Sequence, residues 1–333
     1  MEEFITLDYG SGGKKTSRLI EDILLPAFDS EELSKLGDGA ILQGNKEIVF
    51  STDSFVVSPY FFPGGDIGKL AVCGTVNDIC MCGGTPQYLS LSFIIEEGFP
   101  MEDLSKIVES IKRTCQLCNV KIVTGDTKVV ERGKGDGIYI NTSGIGFLTH
   151  RGLSPYKIRK GDIVIVSGNI GDHGTAVMLS RNSSFLESNV ISDCAPLHNL
   201  TEKLRPFKDS IRVLRDPTRG GVATTLNEFV EGRELSIELN EKDIPISSSV
   251  SNVCKVLGLD PLYCANEGKL LAVVAPEAAE EIIEALKSLP EGKNSAIIGH
   301  VIDSYAGRVI MRTEIGGTHV ITKLTGAQLP RIC

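Results

Sequence analysis

The sequence has no apolar run long enough to cross a membrane; the stretch 270–275 has only the length of a buried strand. The first residues, Met1-Glu2-Glu3-Phe4, are acidic and lack the apolar stretch of a secretion signal. Basic residues are outnumbered by acidic ones, 34 to 43. The 333 residues carry a formal net charge of −9, which disfavours nucleic acid and anionic membrane as partners. No Gly-x4-Gly-Lys-Ser/Thr segment occurs, and no Gly-x-Gly-x-x-Gly follows a strand signal, so a Walker A loop and a dinucleotide fingerprint are both excluded. The five histidines are dispersed, and the cysteine pair Cys115 and Cys118 has no second pair to complete a zinc site. Low-complexity tracts are absent. Nine cysteines, an odd number scattered along the chain, predict a reduced cytoplasm rather than a disulfide framework.

What is present is the alternation of strand and helix signals expected of a mixed α/β protein with two domains. Strands are predicted at 47–52, 88–95, 120–124 and 138–148, with helices at 17–25, 69–82 and 101–118. In the last helix Leu104, Ile107, Val108, Ile111, Cys115 and Cys118 fall on one stripe, so both cysteines are expected in the core. Cys73, Cys80 and Cys82 are assigned there too, as small apolar groups on a helix of small residues. The pattern breaks near residue 152, where a boundary is placed. It restarts with a strand at 162–167, a glycine-rich turn at 168–174 and a helix from about 175. Residues 181–210 read as irregular with short helical pieces. Strands at 270–275, 296–301, 308–312 and 318–323 and a helix at 277–287 complete the second half. The expected division is 1–152, 153–323 and a tail, 324–333.

The glycine-rich Gly10-Ser-Gly-Gly-Lys-Lys-Thr16 suits a phosphate cradle, in which Gly12 and Gly13 let backbone N–H groups approach an anion and Lys14 adds charge. A capping turn before a helix explains it equally well. Asp38, Asp53, Asp78, Asp126 and Asp216 all fall at probable element ends. Gathered together they would suit Mg²⁺, which takes a few protein oxygens and then phosphate. Taken singly, each reads as a cap or turn residue. Lys128, after Gly125-Asp126-Thr127, is placed to steer a transferring phosphoryl group or serve as a tuned base. Glu267, just before a buried strand, is a candidate general base, with His173 as the next candidate. The chain ends on a thiol, Cys333. Eight extended residues from Gly326 reach roughly 26 Å at about 3.3 Å each, enough for a carrier to visit more than one site; an incidental terminal cysteine is the competing reading.

Taken in order, Gly37-Asp-Gly-Ala40, Ser51-Thr-Asp-Ser-Phe55, Val76-Asn-Asp78, the segment 124–130, the segment 167–174, the segment 216–223, the segment 266–270 and the terminal Pro330-Arg-Ile-Cys333 resemble the HypE family, the carbamoyl dehydratases of [NiFe]-hydrogenase maturation. The aspartate motifs are shared with aminoimidazole ribonucleotide synthetases, selenophosphate synthetases and thiamine-monophosphate kinases; the terminal Pro-Arg-Ile-Cys is specific to HypE. The resemblance implies two mixed α/β domains, the first pairing its sheet across a homodimer and the second covering an ATP site. It implies Asp38, Asp78 and Asp216 as Mg²⁺ ligands and Asp53, Gly125 and Asp126 as nucleotide contacts, to which Lys69, Asn77 and Thr127 are added with the glycine loop. His300, where the family leads one to expect an acid, receives no role.

The implied chemistry runs through the tail. Cys333 accepts a carbamoyl group from the carbamoyltransferase HypF. ATP phosphorylates the thiocarboxamide oxygen, and loss of phosphate and of the nitrogen protons leaves a thiocyanate, with Glu267 or Lys128 as proton acceptor. The cyanide is then passed to the HypC–HypD scaffold. Two rivals stand beside this reading: a synthetase or kinase of the same superfamily acting on a free small molecule, and a non-catalytic thiol carrier. The absence of any cysteine before Cys73 counts against a selenophosphate synthetase.

Overall fold

The computed structural model describes residues 3–6, 18–28, 47–181 and 189–323. Two sheets organise the chain. The first has four strands, β1 (Ile48–Phe55), β2 (Gly84–Glu96), β3 (Lys121–Val130) and β4 (Ile138–Leu148), in the order β1-β4-β2-β3. The β2–β3 pair is parallel and joined by a helix, α2 (Met101–Cys118); the other pairs are antiparallel. Parallel neighbours require such a crossover. The predicted stripe of α2 is its buried face, and Asn119, at φ 53°, ends the helix in the left-handed conformation that its short side chain tolerates.

The helix α1 (Ile67–Met81) starts where the Asp66 side chain accepts the N–H groups of Gly68 and Lys69 at 2.7 and 3.1 Å. It is buried nearly all round, because the first sheet, α2 and the second half of the chain all pack on it. Small residues allow this. A Cβ at Gly146 of β4 would lie 2.4 Å from Ile79 Cγ2 and 2.9 Å from the Thr85 carbonyl, so helix and strand meet with no room for a side chain. Cys73, Cys80, Cys115 and Cys118 are buried as expected. Cys82 is not: it is exposed, at the C-terminal cap of α1, and Gly83, at φ 81°, reverses the chain there into β2. All eight described cysteines are free thiols.

The second sheet is mixed and has seven strands. They are β5 (Ile163–Val166), β6 (Ile211–Arg215), β7 (Ser236–Asn240), β8 (Leu271–Val274), β9 (Ala296–Ile302), β10 (Val309–Arg312) and β11 (Thr318–Ile321). Their order is β11-β10-β7-β9-β5-β8-β6, antiparallel except for β10 on β7. Helices α3 (Asp172–Arg181), α4 (His198–Leu204), α5 (Gly221–Val230), α6 (Ser248–Leu257) and α7 (Ala279–Lys287) accompany it. One hydrophobic cluster runs from α1 and α2 through Leu197, Leu200 and Leu204 to β8 and α7, so the two halves share a core. Among the described residues, no helix is long and apolar enough to cross a membrane.

Gly146→Ala tests the α1–β4 contact. The added methyl must displace a side chain and backbone that are both confined, and a stability loss of about 1–3 kcal/mol is expected, read from the midpoint of urea unfolding. An unchanged midpoint would refute the close approach.

Candidate functional site

Four carboxylates from distant parts of the sequence meet in one cleft. Asp53 comes from β1, Asp78 from the last turn of α1, Asp216 from the residue after β6, and Glu267 from the turn that leads into β8. Ser54, Phe55, Gly74, Thr218 and Arg219 complete the lining. Strand and helix ends thus converge where the two halves join, which is the usual place for a ligand in layered α/β structures.

The electrostatics of the cleft suit a cation. Asp216 is 8% exposed and Glu267 2%. Burial raises the Asp216 carboxyl to about 7, with Asp78 and Asp53 adding to the rise and Arg215 opposing it. Burial also lifts Glu267 well above the carboxylate range, and Cys194, Asp216, Asp193 and Asp53 push it further. Asp53 and Asp78 are raised by burial too, against hydrogen bonds from the Ser54 N–H at 2.8 Å and the Ser51 hydroxyl at 2.7 Å. Arg219 favours the ionised form of both. Glu267 Oε1 is buried without a hydrogen-bond partner. A buried carboxyl with no partner is costly and points to a group the cleft is built to meet.

Hard oxygen donors and mutual repulsion fit a divalent cation that brings its own phosphate oxygens. Among the described residues no three His, Cys, Asp or Glu side chains form a ready metal cage. Asp38, the third expected ligand, lies outside the described residues, as do Gly12, Gly13, Lys14 and Cys333.

The remaining expected residues stand elsewhere. Gly125, Asp126 and Thr127 lie on β3 and line a separate, mainly apolar cleft with Ile20, Leu24, Leu25, Phe28, Leu91, Phe93 and Ile122. Lys128 is exposed beside them, its ammonium 2.8 Å from an Asp126 oxygen. A Cβ at Gly125 would sit 2.4 Å from the Leu91 carbonyl, so glycine is required by the β2–β3 approach. β1 and β3 are opposite edges of the four-stranded sheet, so within one chain this group does not join the acidic cleft. Lys69 Nζ donates to the Gly64 carbonyl at 2.9 Å. Asn77 is buried and binds backbone: its Nδ2 donates to the carbonyls of Ala195 and Glu267, and its Oδ1 accepts the Leu197 N–H at 2.8 Å. His173, the alternative base, is fully buried, with Nδ1 2.8 Å from the Ser192 hydroxyl and its ring edge-on to Phe62. His300 lies on β9, opposite Glu238 of β7. Thr218 and Arg219 carried no expectation, although they stand two and three residues after Asp216; a cation so close to a candidate metal-ligating aspartate was the available signal.

The sheets, the shared core and the acidic cleft define a protein of the AIR synthase related class. The family models "AIR synthase related protein, N-terminal domain" and "C-terminal domain" match residues 36–148 and 159–312. The thiamine-monophosphate kinase structure from Aquifex aeolicus superposes with a TM-score of 0.62 at 17% identity, covering 94% of this chain and 99% of that one, a likeness of fold alone. Much nearer relatives are carbamoyl dehydratase HypE of Rhizobium leguminosarum bv. viciae, 48% identical over 99% of this chain and 95% of that protein, and HypE of Escherichia coli, 42% identical over 99% of each. The crystal structure of HypE in complex with ATP superposes with a TM-score of 0.95 at 46% identity, covering 98% of this chain and 99% of that one. A crystal structure of a HypE–HypF complex superposes at 0.80 with 49% identity, over 92% of this chain and 99% of that one. The chain belongs to the HypE carbamoyl dehydratase family.

The titration of Asp216 has a definite sign. Its folded-state value, about 7 against an ordinary 3.8, lies above the unfolded one. Its contribution to stability is therefore full below the unfolded value and is lost as pH rises through about 7. Without divalent cations, Asp216→Asn is expected to gain stability on the wild type between about pH 5 and about pH 8. The gain is up to a few kcal/mol, since each tenfold difference in proton affinity between the folded and unfolded chain is worth about 1.4 kcal/mol. Urea unfolding at the two pH values checks this; a difference independent of pH would contradict it.

Proposed function

We propose that the chain is an ATP-dependent carbamoyl dehydratase that converts a carbamoyl group on Cys333 into a thiocyanate and so supplies cyanide for [NiFe]-hydrogenase assembly. The observation that carries the reading is the convergence of Asp53, Asp78, Asp216 and Glu267 in one cleft where the halves of the chain join. Family membership and the terminal Pro330-Arg-Ile-Cys333 support it. ATP is the phosphoryl donor, in keeping with the HypE–ATP structure.

Each residue has a physical task. Asp78 and Asp216, with Asp38, would hold Mg²⁺, which would supply charge neutralisation on the phosphates. Asp53, the glycine loop, Lys69 and the segment Gly125–Thr127 are assigned to the nucleotide and its surroundings, whereas Asn77, expected there from the sequence, is buried and binds backbone groups through its amide. The thiocarboxamide oxygen attacks the terminal phosphorus of ATP, and ADP leaves. An oxygen that could not depart as oxide now departs as phosphate, while the nitrogen gives up its protons and the carbon–nitrogen triple bond forms. Glu267 is the acceptor for the amide proton. Its affinity for a proton, raised by burial and by Cys194, Asp216, Asp193 and Asp53, is what a weakly acidic N–H requires. Lys128 steers the phosphoryl group.

Lys128 and Glu267 stand apart within one chain, and a homodimer reconciles them. The face of the four-stranded sheet away from α1 carries exposed Ile48, Phe50 and Ile94, an apolar surface that a second copy would cover. Pairing there would bring the β3 edge of one copy toward the other copy's acidic cleft. We take residues 1–152 as the dimerising and ATP-binding unit, 153–323 as its cover and 324–333 as the carrier tail. HypF is the proposed carbamoyl donor, HypC–HypD the proposed cyanide acceptor, and the cytoplasm the proposed location.

Cys333→Ala is expected to bind ATP as the wild type does and to accept no carbamoyl group. Carbamoylation of this variant at the wild-type level would remove the tail from the mechanism. Lys128→Ala and Glu267→Ala act later. They should accept the carbamoyl group normally and accumulate the thiocarboxamide even with saturating ATP, because their interactions are made mainly in the transition state. The mass of the C-terminal peptide distinguishes the cases: loss of water at the wild-type rate in both variants would contradict the assignment. Asp78→Asn and Asp216→Asn should weaken calorimetric binding of ATP with Mg²⁺, and unchanged affinity in both would reduce them to turn residues.

A further inference from the structure

The turn that carries Glu267 is not anchored by β8 alone. An extended strap, residues 189–197, crosses between the two halves and grips it. Asp193 is the centre of the grip. Its side chain is 3% exposed, its Oδ1 accepts the Glu267 N–H at 3.1 Å, and its Oδ2 accepts the Gly268 N–H at 3.2 Å. Lys269 Nζ lies 3.6 Å from the same Oδ2. The other side of the peptide is held as well. The Ala195 N–H donates to the Glu267 carbonyl at 3.2 Å, and Asn77 Nδ2 approaches that carbonyl at 3.5 Å.

The contact is closer than any side chain at position 268 would permit. A Cβ built on Gly268 would fall 1.8 Å from the Asp193 carbonyl oxygen. The strap is fixed at its other end, where the Ser192 N–H donates to the Pro63 carbonyl at 2.8 Å and the Ser192 hydroxyl meets His173 Nδ1 and the Cys194 N–H. Both N–H groups that flank the Glu267 Cα–carbonyl unit are therefore bound by one carboxylate, which is itself immobilised between Lys269 and the strap.

We infer that Asp193 is a positioning residue: its carboxylate brackets the Glu267–Gly268 backbone and fixes the direction in which the Glu267 side chain enters the acidic cleft. The inference rests on Glu267 being the proton acceptor, as proposed above. A carboxylate is needed because one planar group must accept two neighbouring N–H donors at once, as backbone N–H groups do with bound anions. An orphaned pair of buried donors would otherwise be left to find new partners, and the turn would shift to do so. Proton transfer is sensitive to such a shift, because a displacement of about 1 Å can cost about 100-fold in rate.

The test uses the full-length protein carrying the carbamoyl group on Cys333, with dehydration followed by the mass of the C-terminal peptide at a series of ATP concentrations. Asp193→Ala is expected to lower the maximal rate by about 10- to 100-fold and to leave the ATP concentration for half-maximal rate unchanged, since the described lining of the acidic cleft includes no residue of the strap. Asp193→Asn keeps one acceptor oxygen for the Glu267 N–H and should fall between Ala and wild type. That split and that partial rescue are not what a general loss of folding produces. Should the alanine variant fail to fold, the asparagine variant must still show a lowered maximal rate with the ATP dependence intact. Wild-type rates in the variants, equal losses in both, or a loss accounted for by weakened ATP dependence would overturn the inference. Glu267→Ala is run beside them. If it is slow while Asp193→Ala is fast, only the bracket is wrong; if it is fast, the acceptor assignment fails and the bracket with it.

Discussion

Everything in this molecule turns on the cost of bringing four carboxylates into one largely buried cleft. Asp53, Asp78, Asp216 and Glu267 repel one another, and burial removes the water that would screen them. The fold meets that cost with countercharge and with protons. Arg219 offsets part of the charge on Asp53 and Asp78, Asp216 takes up a proton far more readily than an exposed carboxyl does, and a cation with its phosphates would complete the balance. A protein selected only for stability would place apolar or neutral residues there. The cluster is what a site that binds its partners by relieving its own repulsion would require.

Such a cluster needs a rigid frame, and α1 supplies it. The helix carries Asp78 in its last turn and Asn77 beside it, and it is held on every side by the shared core. Asn77 reaches across to the strap and to the Glu267 turn, so the helix that positions one carboxylate also supports the segment that positions another. The strap in turn joins Pro63 in the first half to Gly268 in the second. These hydrogen bonds tie the segments that carry Asp78 and Glu267 to one another.

The sequence disclosed the elements of this arrangement unevenly. The stripe on α2 and the strands of the first half were legible because their periodicities are set by a single buried face. The elements 211–215, 221–230, 236–240 and 248–257 drew no expectation, because much of their burial is decided by neighbours far along the chain. Cys82 was misplaced for a local reason: helical composition continues up to it, but the chain turns one residue earlier than the pattern suggests. Asp78, Asp216 and Glu267 were each open to a bland reading as cap or turn residue. Their meeting depends on a sheet order, β5-β8-β6, in which strands distant in sequence become neighbours, and no spacing reports that. Asp193 was invisible for the same reason. It sits in a segment with no periodicity, and its importance lies wholly in the two N–H groups of residues more than seventy positions away.

The claim that the tail cysteine is where the chemistry occurs is tested most directly on the unaltered protein. The C-terminal peptide ending in Cys333 is weighed after exposure to a carbamoyl donor enzyme, first without ATP and then with ATP and Mg²⁺. The account predicts a carbamoyl adduct in the first case and the same adduct less one water in the second. An unmodified peptide in both, or an adduct that ATP leaves unchanged, would contradict it.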